Sequence, residues 1–327
     1  MMKGAEDKNP VLASTLAVVR KSKSVTISRK EVTRLAEGWS KSRVSAPIWD
    51  TEHHLESNDT RRLADYVILL DSLNFCFWAP DEGNKWSVDY RGEIYRGYFA
   101  LSTSLKKFFE NEPKKANFNY LSQISFEEFS SIFQGEGVLQ LLKKRWEIVR
   151  AVSKFLADNY SGNSERFVLS GGHKAAKLVP KIAGELPYFN DEATYGGKKV
   201  YLWKRAQILV GDIYGITKGV GVGYFDDLDY LTAFPDYKLP QILNHWKVIE
   251  YSPKLVEKIK FRTELKPGSN EEVEIRSATV WAVEYLKEEL RARGVRLKSF
   301  EIDWLLWNES KRIEMSKPHH LTATIFY

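Results

Sequence analysis

Cysteine is almost absent from the sequence. Cys76, in the apolar segment NFCFW, is the only one in 327 residues. A disulfide within this chain and a metal site built from several thiolates are therefore excluded. We expect Cys76 to be a small buried residue in a protein of a reducing compartment.

Long apolar runs are absent as well. No segment approaches the roughly 20 apolar residues of a membrane-spanning helix. The first ten residues, MMKGAEDKNP, are charged and lack the apolar centre of a signal peptide. These features predict a soluble, cytoplasmic protein that has no membrane partner.

The chain also lacks a strong excess of one charge. Its 49 Lys and Arg residues oppose 43 Asp and Glu residues, for a net charge of +6 and an isoelectric point of about 9.0. This mild excess favours an anionic ligand such as a phosphate, but it falls short of the basic stripe of a nucleic-acid-binding protein. We expect no stable nucleic-acid partner.

Common cofactor and metal motifs are missing too. There is no Walker motif, and the glycine pattern KGVGVGYF follows a predicted helix instead of a strand. We interpret it as a helix-ending loop, because a dinucleotide-binding fingerprint needs a strand before the glycines. None of the 6 histidines has metal spacing with a carboxylate on a helix face. We expect neither a cofactor nor a bound metal.

Hydrophobic and aromatic residues are abundant, which is typical of a protein with a large packed interior. Hydrophobic residues make up 43% of the chain, and 10 Trp, 17 Phe and 16 Tyr can pack in a core or stack on a flat ligand. Helical periodicity dominates the sequence. We predict a mainly α fold with a small β element, in which residues 28–327 form a single helical domain. Residues 1–27 are expected to be an N-terminal extension, partly disordered or loosely packed.

Local signals predict where several elements begin and turn. Ser28, Ser125 and Ser252 stand where helix N-caps are expected. A long amphipathic helix is predicted over residues 137–160. Strand alternation is limited to a hairpin that turns at Arg91–Gly92 and to an edge strand in the final segment, HLTATIFY.

The segment SFEIDWLLW, residues 299–307, places Asp303 among apolar and aromatic residues. In a helix, Asp303 and Trp307 share one side and Leu306 lies on another, so both sides are largely apolar. Such a helix is usually buried all round. A buried carboxylate must be paired, protonated or used in chemistry. A structural Asp that joins two helices and a catalytic Asp are both open at this point.

Two more segments combine aromatic residues with charges. FDDLDYLTAFPDYKLPQIL contains Phe225, Asp227 and, in a turn, Asp236. It is compatible with aspartates that cap two short helices, and with an aromatic platform beside a cation-binding carboxylate. In YLWKRAQILVGD, Lys204 and Arg205 head an apolar helix. They are either solvated or suited to a phosphate.

Five segments together resemble the queuosine salvage protein family. DSLNFCFW, KRAQILVGDIYG, FDDLDYLTAFPDYKLPQIL, EVEIRSATVWAVEYL and IDWLLW follow the family's order between about Trp49 and Tyr327. The resemblance implies a mostly helical, DNA-glycosylase-like globule with a β-hairpin, and a single hydrolase domain over residues 28–327. It also implies an N-glycosidase that hydrolyses queuosine 5′-phosphate to queuine and ribose 5-phosphate. Queuine is a 7-deazaguanine base used in tRNA modification, and this activity belongs to its salvage.

The resemblance also implies roles for particular residues. Asp303 matches the family's catalytic carboxylate, Phe225 its base-stacking aromatic residue and Asp227 its base-binding carboxylate. His53 in WDTEHHL matches a histidine that contacts the ligand, and His54 stands next to it.

Further substrate contacts are expected outside these matches. We predict that Trp307 and Asp236 contact the substrate and that Lys204 and Arg205 bind its phosphate. Asn308 stands where relatives often carry a second acid, so a role that needs a negative charge there is in doubt.

The implied chemistry gives the buried Asp303 a purpose. Cleavage of an N-glycosidic bond builds positive charge on the ribose, and a carboxylate in a dry wall opposes that charge strongly. Asp303 can act as nucleophile, as electrostatic stabiliser or on the attacking water. A 7-deaza base lacks the ring nitrogen that purines offer for protonation, so Asp227 is a candidate for helping the leaving group. Acids near Phe225 also suit the cationic amine of queuine.

Two other functions stay open from the sequence. A glycosylase or binding module acting on a nucleic-acid strand is one alternative, although it predicts clustered basic residues. A helical scaffold without activity is the other, and Asp303 would then be structural. The sequence leaves undecided the oligomeric state and whether the nucleoside or its 5′-phosphate is preferred.

Overall fold

The computed structural model describes residues 9–79, 82–315 and 317–327. Helices account for most of these residues, which confirms the predicted mainly α fold with a small β element. None of the helices in these ranges is long and apolar enough to cross a membrane. The fourteen α-helices of the described ranges are α1 (Pro10–Val19), α2 (Arg29–Lys41), α3 (Thr60–Ser72), α4 (Gly97–Asn111), α5 (Phe118–Leu121), α6 (Phe126–Ile132), α7 (Leu142–Tyr160), α8 (Ser164–Leu169), α9 (Ala175–Glu185), α10 (Lys204–Ile216), α11 (Lys238–His245), α12 (Pro253–Lys260), α13 (Asn270–Ala292) and α14 (Ser299–Arg312).

Short strands form three separate antiparallel pairs in the described ranges. β2 pairs with β3, with Ser87 opposite Arg96, and the predicted hairpin is confirmed. Its turn residues Arg91 and Gly92 have φ angles of 57° and 84°, as a tight turn between right-twisted strands requires. β1 pairs with β6 and β4 with β5, which strand alternation did not predict. The strands are β1 (Val25–Ile27), β2 (Ser87–Tyr90), β3 (Glu93–Arg96), β4 (Glu192–Tyr195), β5 (Lys198–Tyr201) and β6 (Ile249–Tyr251).

The final segment, HLTATIFY, does not form the predicted edge strand. Within the described ranges it makes an isolated bridge between Leu321 and Glu264. The carbonyl of Tyr327 instead accepts the N–H of Cys76 at 2.8 Å. The segment therefore packs beside the loop that follows α3, where no ladder continues. Cys76 itself is buried, as predicted.

Residues 9–27 pack firmly against the rest of the chain. The prediction of a loosely packed extension over residues 1–27 is therefore wrong for this part of it. α1 lies along α13, where the indole N–H of Trp281 donates to the hydroxyl of Thr15 at 3.1 Å. β1 then pairs with β6. Residues 1–8 lie outside the described residues.

The predicted helix starts follow local capping signals. The hydroxyl groups of Ser28, Ser125 and Ser252 each accept a backbone N–H three residues further on, at the starts of α2, α6 and α12. α7 begins at Leu142 and not at residue 137, because the chain before it bridges to β2. The glycine pattern after α10 is a loop with a short 3-10 turn, which confirms its interpretation as a helix-ending loop.

Two fully buried arginines hold the end of α3 and the loop after it. Arg145 of α7 donates to three carbonyl groups between residues 73 and 76. Arg205 of α10 donates to the carbonyls of Asp71 and Ser72, at 3.3 and 2.6 Å. A guanidinium group has five N–H donors in a fixed plane, so each arginine can satisfy several carbonyls at once. These contacts fix the backbone that forms one side of the cavity described below.

A buried ion pair sets the start of α10. Arg276 of α13 donates to both carboxylate oxygens of Asp191, at 2.9 and 2.6 Å. Asp191 in turn accepts the backbone N–H of Lys204 at 3.0 Å. Two-point arginine–carboxylate contacts are strong and directional. The position of Lys204 is therefore determined by α13 through Asp191.

Candidate active site

A cavity of about 360 Å³ lies between α4, α10 and α14. The loop before α3, the segment after α3, the segment before α11 and the final segment, with His319 and Tyr327, contribute to the rest of its wall. This volume is in the range of small-ligand sites. Four of the predicted site residues line it, namely Asp303, Trp307, Lys204 and Asp236.

Asp303 lies in α14, and only 4% of its surface is exposed. The backbone N–H of Phe234 donates to its Oδ2 at 2.7 Å. Burial raises the pKa of the Asp303 carboxyl group well above its usual value, and the Asp236 carboxylate adds to this. The N–H of Phe234 and the ammonium group of Lys204 act in the opposite direction. Asp303 is thus a buried carboxyl group at the cavity wall whose ionised form is disfavoured by burial and only partly restored by the Phe234 N–H and the Lys204 ammonium group.

Asp236 has two roles that the sequence could only offer as alternatives. Its Oδ1 accepts the backbone N–H groups of Lys238 and Leu239, at 2.7 and 2.9 Å, at the start of α11. The same residue lines the cavity. Burial raises the pKa of its carboxyl group, whereas Lys204 lowers it. One residue therefore both caps a helix and lines the cavity.

Lys204 enters the cavity wall from the first turn of α10. It is 4% exposed, and its ammonium group donates to the carbonyl of Asn74 at 3.2 Å. Burial lowers its pKa, while Asp236, Asp71 and Asp303 raise it. The ammonium group therefore compensates carboxyl groups around it. Those carboxyl groups make the position unfavourable for a phosphate.

Aromatic side chains form much of the remaining wall. The rings of Trp49 and Trp304 are 6.0 Å apart, and Trp307 meets Tyr98 edge to face at 5.4 Å. Trp49 lies directly against α10 at Gly215, where a Cβ would overlap its ring. Such surfaces suit a planar ligand, because aromatic faces stack on bases regardless of sequence. The glycine is required by this close approach of the loop to α10.

His54, and not His53, lines the cavity. Its Nδ1 lies 2.8 Å from the carbonyl of Asp50, which can only accept, so Nδ1 carries the proton. Burial lowers the pKa of His54 to about 4, so the ring is neutral and Nε2 accepts from the hydroxyl of Tyr98 at 2.9 Å. His53 stacks on Phe99 at 4.1 Å between ring centres, outside the lining of the cavity.

Besides His53, three predicted site residues do not line the cavity. The carboxylate of Asp227 accepts the backbone N–H groups of Ala175 and Ala176, at 2.6 and 3.2 Å, and so caps α9. Phe225 is buried in the main hydrophobic core. Arg205 spends its donors on the carbonyls at the end of α3. These placements correct the predicted base-binding and phosphate-binding roles, because each side chain has a structural partner away from the cavity.

Several cavity residues were missed in the sequence. Some of them lie in segments without a regular pattern, and others lie on helix faces whose apolar residues are typical of a hydrophobic core. These residues are Phe234, Trp49, Tyr98 and Trp304. Asp212 follows Lys204 by eight residues on α10, a spacing that places both on one helix face. That spacing was the one available signal for Asp212.

Lys311 stands exposed at the cavity mouth, but the burial of its amine lowers the pKa of that group to about 6, against the opposite effect of the Asp50 carboxylate. The ammonium group of Lys311, two turns after Asp303 on α14, lies 2.8 Å from the ring centre of Trp307 and 3.5 Å from that of Phe99. No carboxylate in the described ranges forms an ion pair with it. Residues four positions apart on a helix share one face. Asp303, Trp307 and Lys311 therefore run in a row from the cavity wall to its mouth.

The arrangement of side chains in the described ranges offers no metal site. Across residues 9–79, 82–315 and 317–327, no group of three or more His, Cys, Asp or Glu side chains is placed to hold a metal ion.

Comparison with known proteins identifies the family of this chain. The model of the queuosine salvage protein family matches residues 53–327. A queuosine 5′-phosphate N-glycosylase/hydrolase of Sphaerobacter thermophilus is 41% identical, over 98% of each chain. Proteins of the same name from Dictyostelium discoideum and Mus musculus are 38% and 32% identical, over 83% and 95% of this chain and 80% and 96% of theirs. The chain belongs to the queuosine salvage protein family.

Proposed function

We propose that the protein hydrolyses the N-glycosidic bond of queuosine 5′-phosphate and releases queuine and ribose 5-phosphate. Its relatives carry the name of this activity. The observation that supports it most in the structure is Asp303, a buried carboxyl group on an aromatic-lined cavity. The family resemblance drawn from the sequence implies the same residue.

In this proposal, Asp303 faces the ribose. As the bond between C1′ and the base nitrogen breaks, its electron pair leaves with the base and positive charge develops on the sugar. The ionised Asp303 opposes that charge in a site of low polarity. Water supplies the oxygen that bonds to C1′, and its proton ends on the released base. Asp303 can stabilise the charge, attack C1′ or orient the water, and all three need its ionised form.

The base lies against aromatic side chains and a second carboxyl group. We assign the stacking surface to Phe234 together with the tryptophans of α14, and the base-binding carboxyl group to Asp236. A 7-deazaguanine base cannot be protonated at position 7, so its departure depends on hydrogen bonds elsewhere on the ring. Asp236 is supported by its place on the cavity beside Asp303, whose pKa it raises.

For the phosphate, Lys311 is a better candidate than the two cations predicted from the sequence. Lys204 stands among carboxyl groups, and Arg205 is bound to backbone carbonyls. Lys311 is exposed at the mouth and held over two aromatic rings, and an anionic phosphate beside it would raise its lowered pKa and favour the ammonium form. Charge-assisted hydrogen bonds to phosphate are roughly twice as strong as neutral ones. A phosphate near Lys311 leaves the ribose pointing along the row toward Asp303.

The test is release of free queuine from three substrates: queuosine 5′-phosphate, queuosine, and a tRNA that contains queuosine. We expect rapid release from the 5′-phosphate and slower release from the nucleoside. Mass spectrometry of the small-molecule fraction measures both. Release from the tRNA alone would overturn the proposal in favour of a glycosylase that acts on a nucleic-acid strand. No release from any of them would overturn the assignment of an N-glycosidase activity.

A further inference from the structure

One buried carboxyl group on the cavity has no role in the reaction described above. Asp212 lies on α10, two turns after Lys204 and one turn after Ile208, and all three residues line the cavity. Only 2% of Asp212 is exposed. Within the described ranges, no side chain or backbone group donates a hydrogen bond to its carboxyl group or forms an ion pair with it. A buried carboxyl group without a partner is costly, so such groups point to a ligand.

The protein's own donors near Asp212 are already used. Its charge acts on the hydroxyl groups of Tyr66 and Tyr98, which places it close to both. The hydroxyl of Tyr66 donates to the carbonyl of Ser102 at 3.1 Å, and that of Tyr98 donates to His54. With both hydroxyl groups engaged, a molecule in the cavity can supply the donor that the Asp212 carboxyl group lacks.

The charge balance around the cavity indicates what kind of donor. The carboxyl groups of Asp71, Asp212, Asp236 and Asp303 all interact with one ammonium group, that of Lys204. Asp71 lies behind the cavity wall, fully buried, with its Oδ2 unpaired. Burial raises the pKa of all four carboxyl groups, and a cationic ligand favours their ionised forms, whereas a neutral ligand does not.

We propose that Asp212 selects substrates whose base carries an aliphatic ammonium group, by accepting a charge-assisted hydrogen bond from it. The proposal rests on the proposed function, because queuine carries such an amine on its side chain. Asp303 acts on the ribose, and Asp212 acts on the substituent of the base. Asp212 is a specificity residue and takes no part in breaking the bond.

The experiment compares two substrates that differ in the amine. Queuosine 5′-phosphate carries it, and 7-deazaguanosine 5′-phosphate has the same base core, ribose and phosphate without it. The measurement is the ratio of kcat/KM for the two, in the parent and in Asp212→Asn. We expect the ratio to fall by roughly 10- to 100-fold in the variant, the usual effect of losing one hydrogen bond to a charged group. The loss should fall on KM for queuosine 5′-phosphate, with kcat for the amine-free substrate retained.

Asp71→Asn is the matched control, because it removes a carboxyl group from the same cluster without removing one from the cavity wall. It should change kcat/KM for both substrates by the same factor. A ratio that falls equally in both variants would overturn the proposal, since the total charge and not Asp212 would then decide selection. A parent ratio near one would overturn it as well.

A second measurement separates this proposal from the proposed function. Calorimetry compares the binding of free queuine with that of 7-deazaguanine, in the parent, in Asp212→Asn and in Asp212→Ser, and needs no turnover. If neither nucleotide is hydrolysed but queuine binding depends on Asp212, the activity is wrong and the selection holds. If hydrolysis occurs and queuine binds all three proteins equally well, the activity stands and the role of Asp212 is overturned.

Discussion

The spacing Phe-x-Asp occurs twice within a few residues, at Phe225–Asp227 and at Phe234–Asp236, and the two copies have different surroundings. In the first, Asp227 caps α9 and Phe225 packs in the core. In the second, both residues line the cavity, and the N–H of Phe234 binds Asp303 at 2.7 Å. Both aspartates accept backbone N–H groups at a helix start, so capping alone does not separate them. The two copies differ in the elements of the fold that pack around them.

Asp303→Asn should give the largest effect. It removes the negative charge of the carboxyl group at the cavity that accepts the N–H of Phe234, a residue of the second copy. We expect kcat for queuosine 5′-phosphate to fall by roughly 10²–10⁴-fold, as an amide cannot oppose positive charge on the ribose. Initial rates of queuine release measure this. The melting temperature should stay the same or rise, since burial disfavours the charge that is removed. Unchanged turnover contradicts a catalytic role, and a sharp loss of thermal stability indicates a structural one.

Alanine substitutions at the two matching aspartates compare the copies directly. Asp227→Ala and Asp236→Ala each remove a helix cap, which costs about 0.5–2 kcal/mol of unfolding free energy. Only Asp236→Ala should also lower kcat/KM, by roughly 10- to 100-fold, because it alone removes a partner of the base. Denaturant titration and steady-state kinetics on both variants give the two quantities. Equal kinetics in the two proteins would show that the second copy does not contact the base.

Lys311 and Lys204 can be compared in the same way, with a smaller expected effect on substrate preference. Lys311→Met should lower the preference for the 5′-phosphate over the nucleoside by roughly fivefold, a modest factor because the ammonium group is exposed. Lys204→Met should slow both substrates alike, because its ammonium group acts on Asp303 and its neighbours. The readout is the ratio of kcat/KM for the two substrates. A loss of the preference in Lys204→Met alone would return the phosphate to the position predicted from the sequence.

The smallest expected effect concerns Asp71, a carboxyl group that neither caps a helix nor lines the cavity. Burial raises its pKa to about 7, above the value of roughly 3.9 in an unfolded chain. Between these values the folded protein binds more protons, so the free energy of unfolding decreases as the pH rises from about 4 to about 7. Asp71→Asn should weaken this decrease.

Melting temperatures at pH 4, 5.5 and 8 measure that dependence. The variant should gain a few degrees relative to the parent at pH 8 and little or nothing at pH 4. Asp227→Asn, which changes a carboxylate of the first copy, serves as the control. A constant difference across the three pH values would contradict the assigned pKa of Asp71.

Much of the fold followed from local chemistry. Ser28, Ser125 and Ser252 cap their helices through groups three residues away, so a short stretch of sequence contains the whole interaction. α1 also has a local cap, because the side chain of Asn9 accepts the N–H groups of Val11 and Leu12, but local chemistry does not determine where this helix packs. It is apolar on most sides and is ordered by its contacts with α13, more than two hundred residues later. The final segment alternates like a strand but finds no neighbouring strand to pair with.

The site residues, like the helices, were predictable where a short stretch of sequence contained the signal. Asp303, Trp307 and Lys204 are unusual within their own helices, and all three reach the cavity. The choice between the two Phe-x-Asp copies depended on distant elements, and local spacing favoured neither. For Asp212 the sequence offered one signal, its spacing of eight residues from Lys204 on α10, and that spacing does not show which face of the helix meets a cavity. The duplicated spacing explains why the first copy received roles that suit the second.

The two buried arginines have a consequence for how this pocket could be altered. The backbone after α3, which contributes Phe75, Phe77 and Trp78 to the cavity, is held by guanidinium groups that donate to its carbonyls and lie over the rings of Phe75 and Phe77. A side chain on this segment that neither arginine contacts, such as Trp78, can therefore be exchanged while the main chain keeps its path. Arg145 and Arg205 themselves have no such tolerance, because lysine cannot offer several donors in one plane. Substrate preference can thus vary by replacing side chains on a scaffold that the arginines hold unchanged.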